Sequence, residues 1–232
     1  MGFGAARLAA KPSMLVGFVG PAAQAGPARE AGADFLLIEV AGALDAAVVK
    51  QLREAANDLP LGVLPKTVAA DKTTELREAG LDFLGFDAET TPAAAILDDD
   101  MGYVLALPEQ TDEVKRDLFL RSLEPLTLEA VFLASAPSTL TVAQQLELAR
   151  VAQLTHKPMV CRVQPDASSV DLQCLRAAGV VALIADSAAA VTMLKASVAA
   201  LPARKQRKDD RPVVSLPRGQ APAEEDDDDD DD

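Results

Sequence analysis

Glu39, Asp87 and Asp186 are the first residues from which chemistry is expected. Each closes a short apolar run that follows a helix end and a glycine: AREAGADFLLIEV at 28–40, LREAGLDFLGFDA at 76–88 and LRAAGVVALIADS at 175–187. Repeated elements that deliver carboxylates to one place create a conflict. Two such charges about 4 Å apart, at an effective dielectric of about 20, repel by roughly 4 kcal/mol. A divalent cation, a raised pKa or a basic neighbour has to resolve it. The chain offers Lys66, after an expected strand at 61–65, and Arg162, late in an expected strand at 158–163. The set therefore suits metal-assisted or acid–base action on a small anion. Glu39, Asp87 and Asp186 would hold Mg2+ or Mn2+, and Lys66 or Arg162 would hold a carboxylate, with Lys66, Asp87 and Arg162 as the catalytic candidates. The same residues also read as helix caps and salt-bridged loop positions inherited by duplication. Asp186-Ser187, before an expected helix, is a capping pair in its own right.

The elements that must position these groups follow from the repeat. Glu39 and Asp87 are 48 residues apart, and Asp87 and Asp186 are 99 apart, about two periods. A degraded copy is expected between them, and LEAVFLAS, ending at Ser135, fills the place. Arg29, Arg77 and Arg176 suit a last helical turn, and Gly32, Gly80 and Gly179 suit the left-handed stop after it. Four further strands are expected at 13–21, 59–66, 101–109 and 157–165, each ending at or beside a proline (Pro21, Pro65, Pro108, Pro165), which cannot donate to a sheet.

Helices are expected at 21–31, 45–57, 71–79, 90–98, 111–123 (capped by Thr111), 141–155, 168–179 and 187–201. Strand–helix alternation implies right-handed crossovers and an all-parallel sheet. Eight units let the sheet close into a compact α/β (β/α)8 barrel of TIM type over 13–202. An open doubly wound sheet is the rival, and it leaves the fourfold period unexplained. Period-two alternation points Phe35, Leu37 and Glu39, Phe83, Gly85 and Asp87, Val131, Leu133 and Ser135, and Ala182, Ile184 and Asp186 inward. Residues 1–12 read as an arm. Residues 203–232 read as a disordered charged tail with six basic and eleven acidic side chains, ending in nine consecutive acids.

Composition removes several functions. The net charge of −14 argues against nucleic acid and anionic membranes as partners. The absence of Trp and the single Tyr argue against sugar platforms and base stacking. No run reaches the roughly 18 apolar residues of a membrane span. Cys161 and Cys174 match no zinc or redox spacing and read as reduced thiols, which fits a cytoplasmic protein. Lys11 followed by SMLVGFVG and AQA imitates a secretory signal, yet the eightfold pattern needs that stretch as its first strand. A homo-oligomer is compatible with the chain.

In this architecture active sites lie at the carboxyl ends of the strands. His156, the only histidine, and Lys157 precede the strand at 158–163 and belong to the opposite end. The loops after the last two strands, VQPDASS and ADSAAA, contain no glycine for a phosphate cradle, though Ser168, Ser169 or Ser187 could hold an anion weakly. No flavin or nucleotide motif occurs.

AREAGADFLLIE and LRAAGVVALIADS resemble the aldolase-type barrels in general, the lyases, mutases and flavin oxidoreductases whose strands follow an AGAD turn. The resemblance spans the barrel in pattern and implies a lyase-like enzyme for a small carboxylate or oxo-acid. By analogy with the metal-dependent lyases of that group, Glu39 and Asp87 would be metal ligands. The alternative is a barrel without catalysis, serving as a binding or assembly module.

Overall fold

The glycine that ends each repeated helix sits where the phrase requires it. Gly32, Gly80 and Gly179 have φ of +89°, +105° and +103°, a region cheap only without a side chain. Each turns the chain out of a short helix, α1 (Ala25–Glu30), α3 (Thr73–Glu78) or α6 (Ser169–Ala177), and into a strand, β2 (Phe35–Val40), β4 (Phe83–Asp87) or β8 (Val180–Ala185). The remaining strands are β1 (Leu15–Gly20), β3 (Leu61–Pro65), β5 (Gly102–Ala106), β6 (Ala130–Leu133) and β7 (Met159–Arg162). The other helices are α2 (Ala46–Ala56), α4 (Glu113–Ser122), α5 (Val142–Thr155) and α7 (Ala188–Ala199). This computed structural model describes residues 14–70, 72–109, 112–134 and 139–202. The expectations for the arm, the tail and Ser135 lie outside them.

The eight strands pair in parallel and in chain order, and the sheet closes on itself. Closure is made by β1 against β8, from Leu15 beside Ala182 to Phe18 beside Ala185. The stretch that imitates a signal is thus a barrel strand held on both sides. Apolar residues divide into two clusters. The outer one lies between sheet and helices, where α2 contributes Val49, Leu52 and Ala56. Burying one such leucine is worth about 1.5–3 kcal/mol.

The inner cluster fills the barrel with Val19, Phe35, Leu37, Phe83, Val104, Ala130, Phe132, Val160, Ala182 and Ile184. Phe35 and Phe83, equivalent in the repeat, meet edge to face at 6.2 Å between ring centres. Each ring occupies the space a side chain would take on the preceding strand. A methyl on Gly17 would stand 2.3 Å from Phe35, and one on Gly62 would stand 2.0 Å from Phe83.

Three expectations need correction. The segment at 90–98 forms only a 3-10 turn at Ala93–Ile96. Three acids, Asp98 to Asp100, stand where a helix C-terminus would repel them. The chain also leaves the helical path there so that the Asp98 N–H can donate to Tyr103 Oη and its carboxylate can accept from Arg77 Nε at 3.1 Å. The cap of α4 is Asp112, whose Oδ1 accepts from the Val114 and Lys115 N–H groups. In β6 the inward residues are Ala130 and Phe132, while Val131 belongs to the outer cluster, so the expected register is off by one. A one-residue slip flips every side chain, and a run apolar on both faces does not mark the right choice.

Candidate functional site at the barrel mouth

Five strand ends carry charged residues two positions beyond an interior one, and the pleat puts them on the same face. Glu39 follows Leu37, Lys66 follows Leu64, Asp87 follows Gly85, Arg162 follows Val160 and Asp186 follows Ile184. All five stand at the carboxyl ends of the strands. Two of them are joined: Arg162 Nη2 donates to Glu39 Oε1 at 3.1 Å. Because β2 and β7 are separated in the ring by β1 and β8, this pair bridges the mouth. Its side chains are 37% and 50% exposed, so the pair adds at most about 1 kcal/mol to stability. Arg162 Nε is buried and has no hydrogen-bond partner among the described residues.

The other three are placed differently. Asp87 Oδ1 accepts from the N–H groups of Glu89 and Thr90, at 2.9 and 3.1 Å, and from Thr90 Oγ1 at 3.3 Å, which folds the following loop back on the strand. Its Oδ2 accepts from none of the described residues. Lys66 is exposed and makes no ion pair among the described residues. Asp186 is exposed as well, and the cap of α7 is its neighbour Ser187, whose Oγ accepts from the Ala190 N–H at 3.2 Å.

Among the described residues these acids are not gathered into a metal-ligand group: no three His, Cys, Asp or Glu side chains come together in one. Glu39 is engaged by Arg162 and one oxygen of Asp87 by its own loop, so the expected layer of Glu39, Asp87 and Asp186 is not gathered. The charge of Glu39 is met by Arg162.

The opposite end holds the residues that sequence reasoning missed. Asp34 and Asp82, the acids of AGAD and AGLD, each latch the start of the preceding strand. Asp34 Oδ2 accepts from the Val16 N–H at 2.7 Å, and Asp82 Oδ2 accepts from the Leu61 N–H at 2.8 Å. Each is held by a cation, Lys195 Nζ at 2.8 Å for Asp34 and Arg53 for Asp82. Their identical place two residues after the glycine was the available signal. His156 caps α5 in a left-handed conformation at φ 52°, and Lys157 Nζ donates to the Leu126 carbonyl at 3.0 Å. Both serve the frame. Cys161 is buried, which pushes its thiol up to about 12 and leaves it unreactive.

No protein-family model matches the chain, and no curated protein matches it in sequence. Solved structures do match in fold. Thiamine phosphate pyrophosphorylase from Pyrococcus furiosus superposes with a TM-score of 0.58 at 14% identity, over 81% of this chain and 96% of that one. Xanthomonas albilineans dihydropteroate synthase with 4-aminobenzoic acid gives 0.57 at 18% identity, over 82% and 94%. A putative lyase/mutase from Burkholderia cenocepacia gives 0.56 at 17% identity, over 82% of each chain. At these identities the likeness establishes the fold alone: the chain is a TIM barrel.

Proposed function

We infer that the barrel mouth takes a small carboxylate or 2-oxo-acid and acts on it as a carbon–carbon lyase. The observation that carries this reading is Arg162. It is a guanidinium held across the mouth by Glu39, above an apolar interior, with Nε out of water and unpartnered. The exposed edge of the guanidinium leaves N–H groups for a substrate carboxylate, which it would hold by charge-assisted hydrogen bonds.

Lys66 is the nucleophile. Its amine condenses with the substrate carbonyl, water leaves, and the resulting iminium nitrogen receives the electron pair of the breaking carbon–carbon bond. Asp87, through Oδ2, takes the hydroxyl proton of the departing fragment, which leaves as a carbonyl compound, and returns it to the enamine carbon; water then hydrolyses the iminium, releasing the second product and freeing Lys66. This scheme runs without a metal ion.

The test is incubation of the full chain with pyruvate and borohydride, followed by peptide mass analysis. The expected result is one reduced adduct on Lys66, absent in Lys66→Arg and weakened at least tenfold in Arg162→Gln. Calorimetry with Mg2+ or Mn2+ alone is expected to give no heat. A second reading, a barrel that binds without catalysis, draws on the acids of the mouth being engaged in structural bonds. Pyruvate binding that depends on Arg162, with no adduct and no turnover, would select it.

A further inference from the structure

A second site lies outside the barrel, between α4, α5 and the carboxyl ends of β5 and β6. A cavity of about 290 Å³ opens there, and its floor is apolar, with Phe119, Leu133 and Leu148 among its lining. The polar lining is one cation and two acids: Arg116, Glu147 and Glu109. Arg116 Nη2 is paired with Glu147 Oε1. Arg116 Nε is buried and has no partner among the described residues. Directly beside it on α4, Asp117 gives one oxygen to Arg150 and keeps the other, Oδ1, buried and unpartnered. Three side-chain polar atoms are left in that state among the described residues, and two of them are in this seam. Glu109, on the chain just after β5, is exposed and makes no ion pair among the described residues.

This arrangement states what a ligand must bring. It needs one oxygen to accept from the Arg116 guanidinium, whose Nη2 is already paired with Glu147. It needs a positive group for Glu109, which makes no ion pair among the described residues. It needs an apolar body for the floor. The volume is at the lower end of small-molecule sites, which limits the ligand to about ten non-hydrogen atoms.

We propose that the α4–α5 cavity binds a free α-amino acid with an aliphatic side chain. Its carboxylate accepts from the Arg116 guanidinium, its ammonium faces Glu109, and its side chain packs on Phe119, Leu133 and Leu148. This site is separate from the barrel mouth, and it does not depend on the reaction inferred there.

The probe is L-leucine, titrated into the full chain by calorimetry and by chemical-shift mapping. Two analogues accompany it, 4-methylpentanoate without the ammonium and 3-methylbutylamine without the carboxylate. Leucine is expected to bind one to one, and each analogue at least tenfold more weakly. Glu109→Gln, an exposed change that leaves the fold alone, is expected to reduce leucine affinity at least tenfold. The double variant Arg116→Gln/Glu147→Gln, which removes both members of the ion pair together, is expected to abolish binding. Arg162→Gln at the mouth is expected to leave leucine binding unchanged. Three results would each overturn the assignment: no heat with millimolar leucine, leucine binding that survives Glu109→Gln, or loss of leucine binding in Arg162→Gln. If 4-methylpentanoate binds as well as leucine, the ammonium has no role and the zwitterion assignment falls.

Discussion

Single residues divide sharply between the two ends of the strands. At the amino ends Asp34 and Asp82 each accept a strand N–H while held by a cation, so their contribution is to stability. Replacing Asp82 by Ala leaves the Leu61 N–H without its acceptor and Arg53 without its carboxylate, though Arg53 still donates to the Gly80, Asn57 and Leu59 carbonyls. The expected loss is about 1–3 kcal/mol by urea denaturation, with ligand binding at the mouth unchanged. At the carboxyl ends, Asp87→Ala removes the acceptor of two backbone N–H groups and is expected to cost about 1 kcal/mol. Asp87→Asn keeps Oδ1 and retains most of that stability. Glycine positions separate as cleanly. Gly62→Ala drives a methyl into the Phe83 ring and should cost about 1–3 kcal/mol in thermal unfolding. Gly26→Ala, inside α1 with open space around it, should stabilise by up to about 1 kcal/mol.

At the level of elements, the repeated helix–glycine–strand unit was legible because glycine, arginine and the apolar run each mark a different part of it. What was not legible had no such mark. LEAVFLAS carries apolar residues on both faces, so nothing in it chose Phe132 over Val131 as the inward residue. TTPAAAILDDD looks helical by propensity, and only the bonds of Asp98 to Arg77 and to Tyr103 explain its 3-10 turn. That ion pair joins α3 to the turn before β5 and makes a pH prediction. Burial alone would raise the Asp98 carboxyl, but the hydrogen bonds from Arg77, the Asp100 N–H and Thr74, together with the Arg77 charge, hold it below its ordinary value. Its stabilisation is therefore present in full above the unfolded carboxylate pKa of about 3.9 and is lost as the pH falls through the lower folded value. Asp98→Asn should lower stability at neutral pH and flatten its decline below about pH 4, measured as urea midpoints across pH.

Across the whole molecule, the fourfold period was enough to choose a closed barrel over an open sheet, and the pairing of β1 with β8 bears that out. The site was less legible for a physical reason. Charge type and strand position told which residues stand at the mouth, but not which would be engaged by neighbours. Arg162 with Glu39 and Asp87 with its own loop are contacts across 123 residues and across three, and spacing does not distinguish them. The chain beyond Pro202 carries five of the fourteen net negative charges and no long apolar run. Deleting 203–232 is expected to leave the melting temperature within a few degrees, and a loss of much more than that would assign those residues to the barrel's stability.

Closure of the ring also sets a clock on synthesis. One edge of β1, an uncharged LVGFVG strand, has β8 as its partner. Until residue 185 is made, that edge has no native neighbour. At roughly 5–20 residues per second, the interval from Gly20 to Ala185 is about ten to thirty seconds. During it, an apolar strand edge of the kind that recruits other chains stands open on the nascent polypeptide. Closing the ring thus waits for the last of the eight strands, and a chaperone that shields β1 for that interval should raise the yield of folded protein.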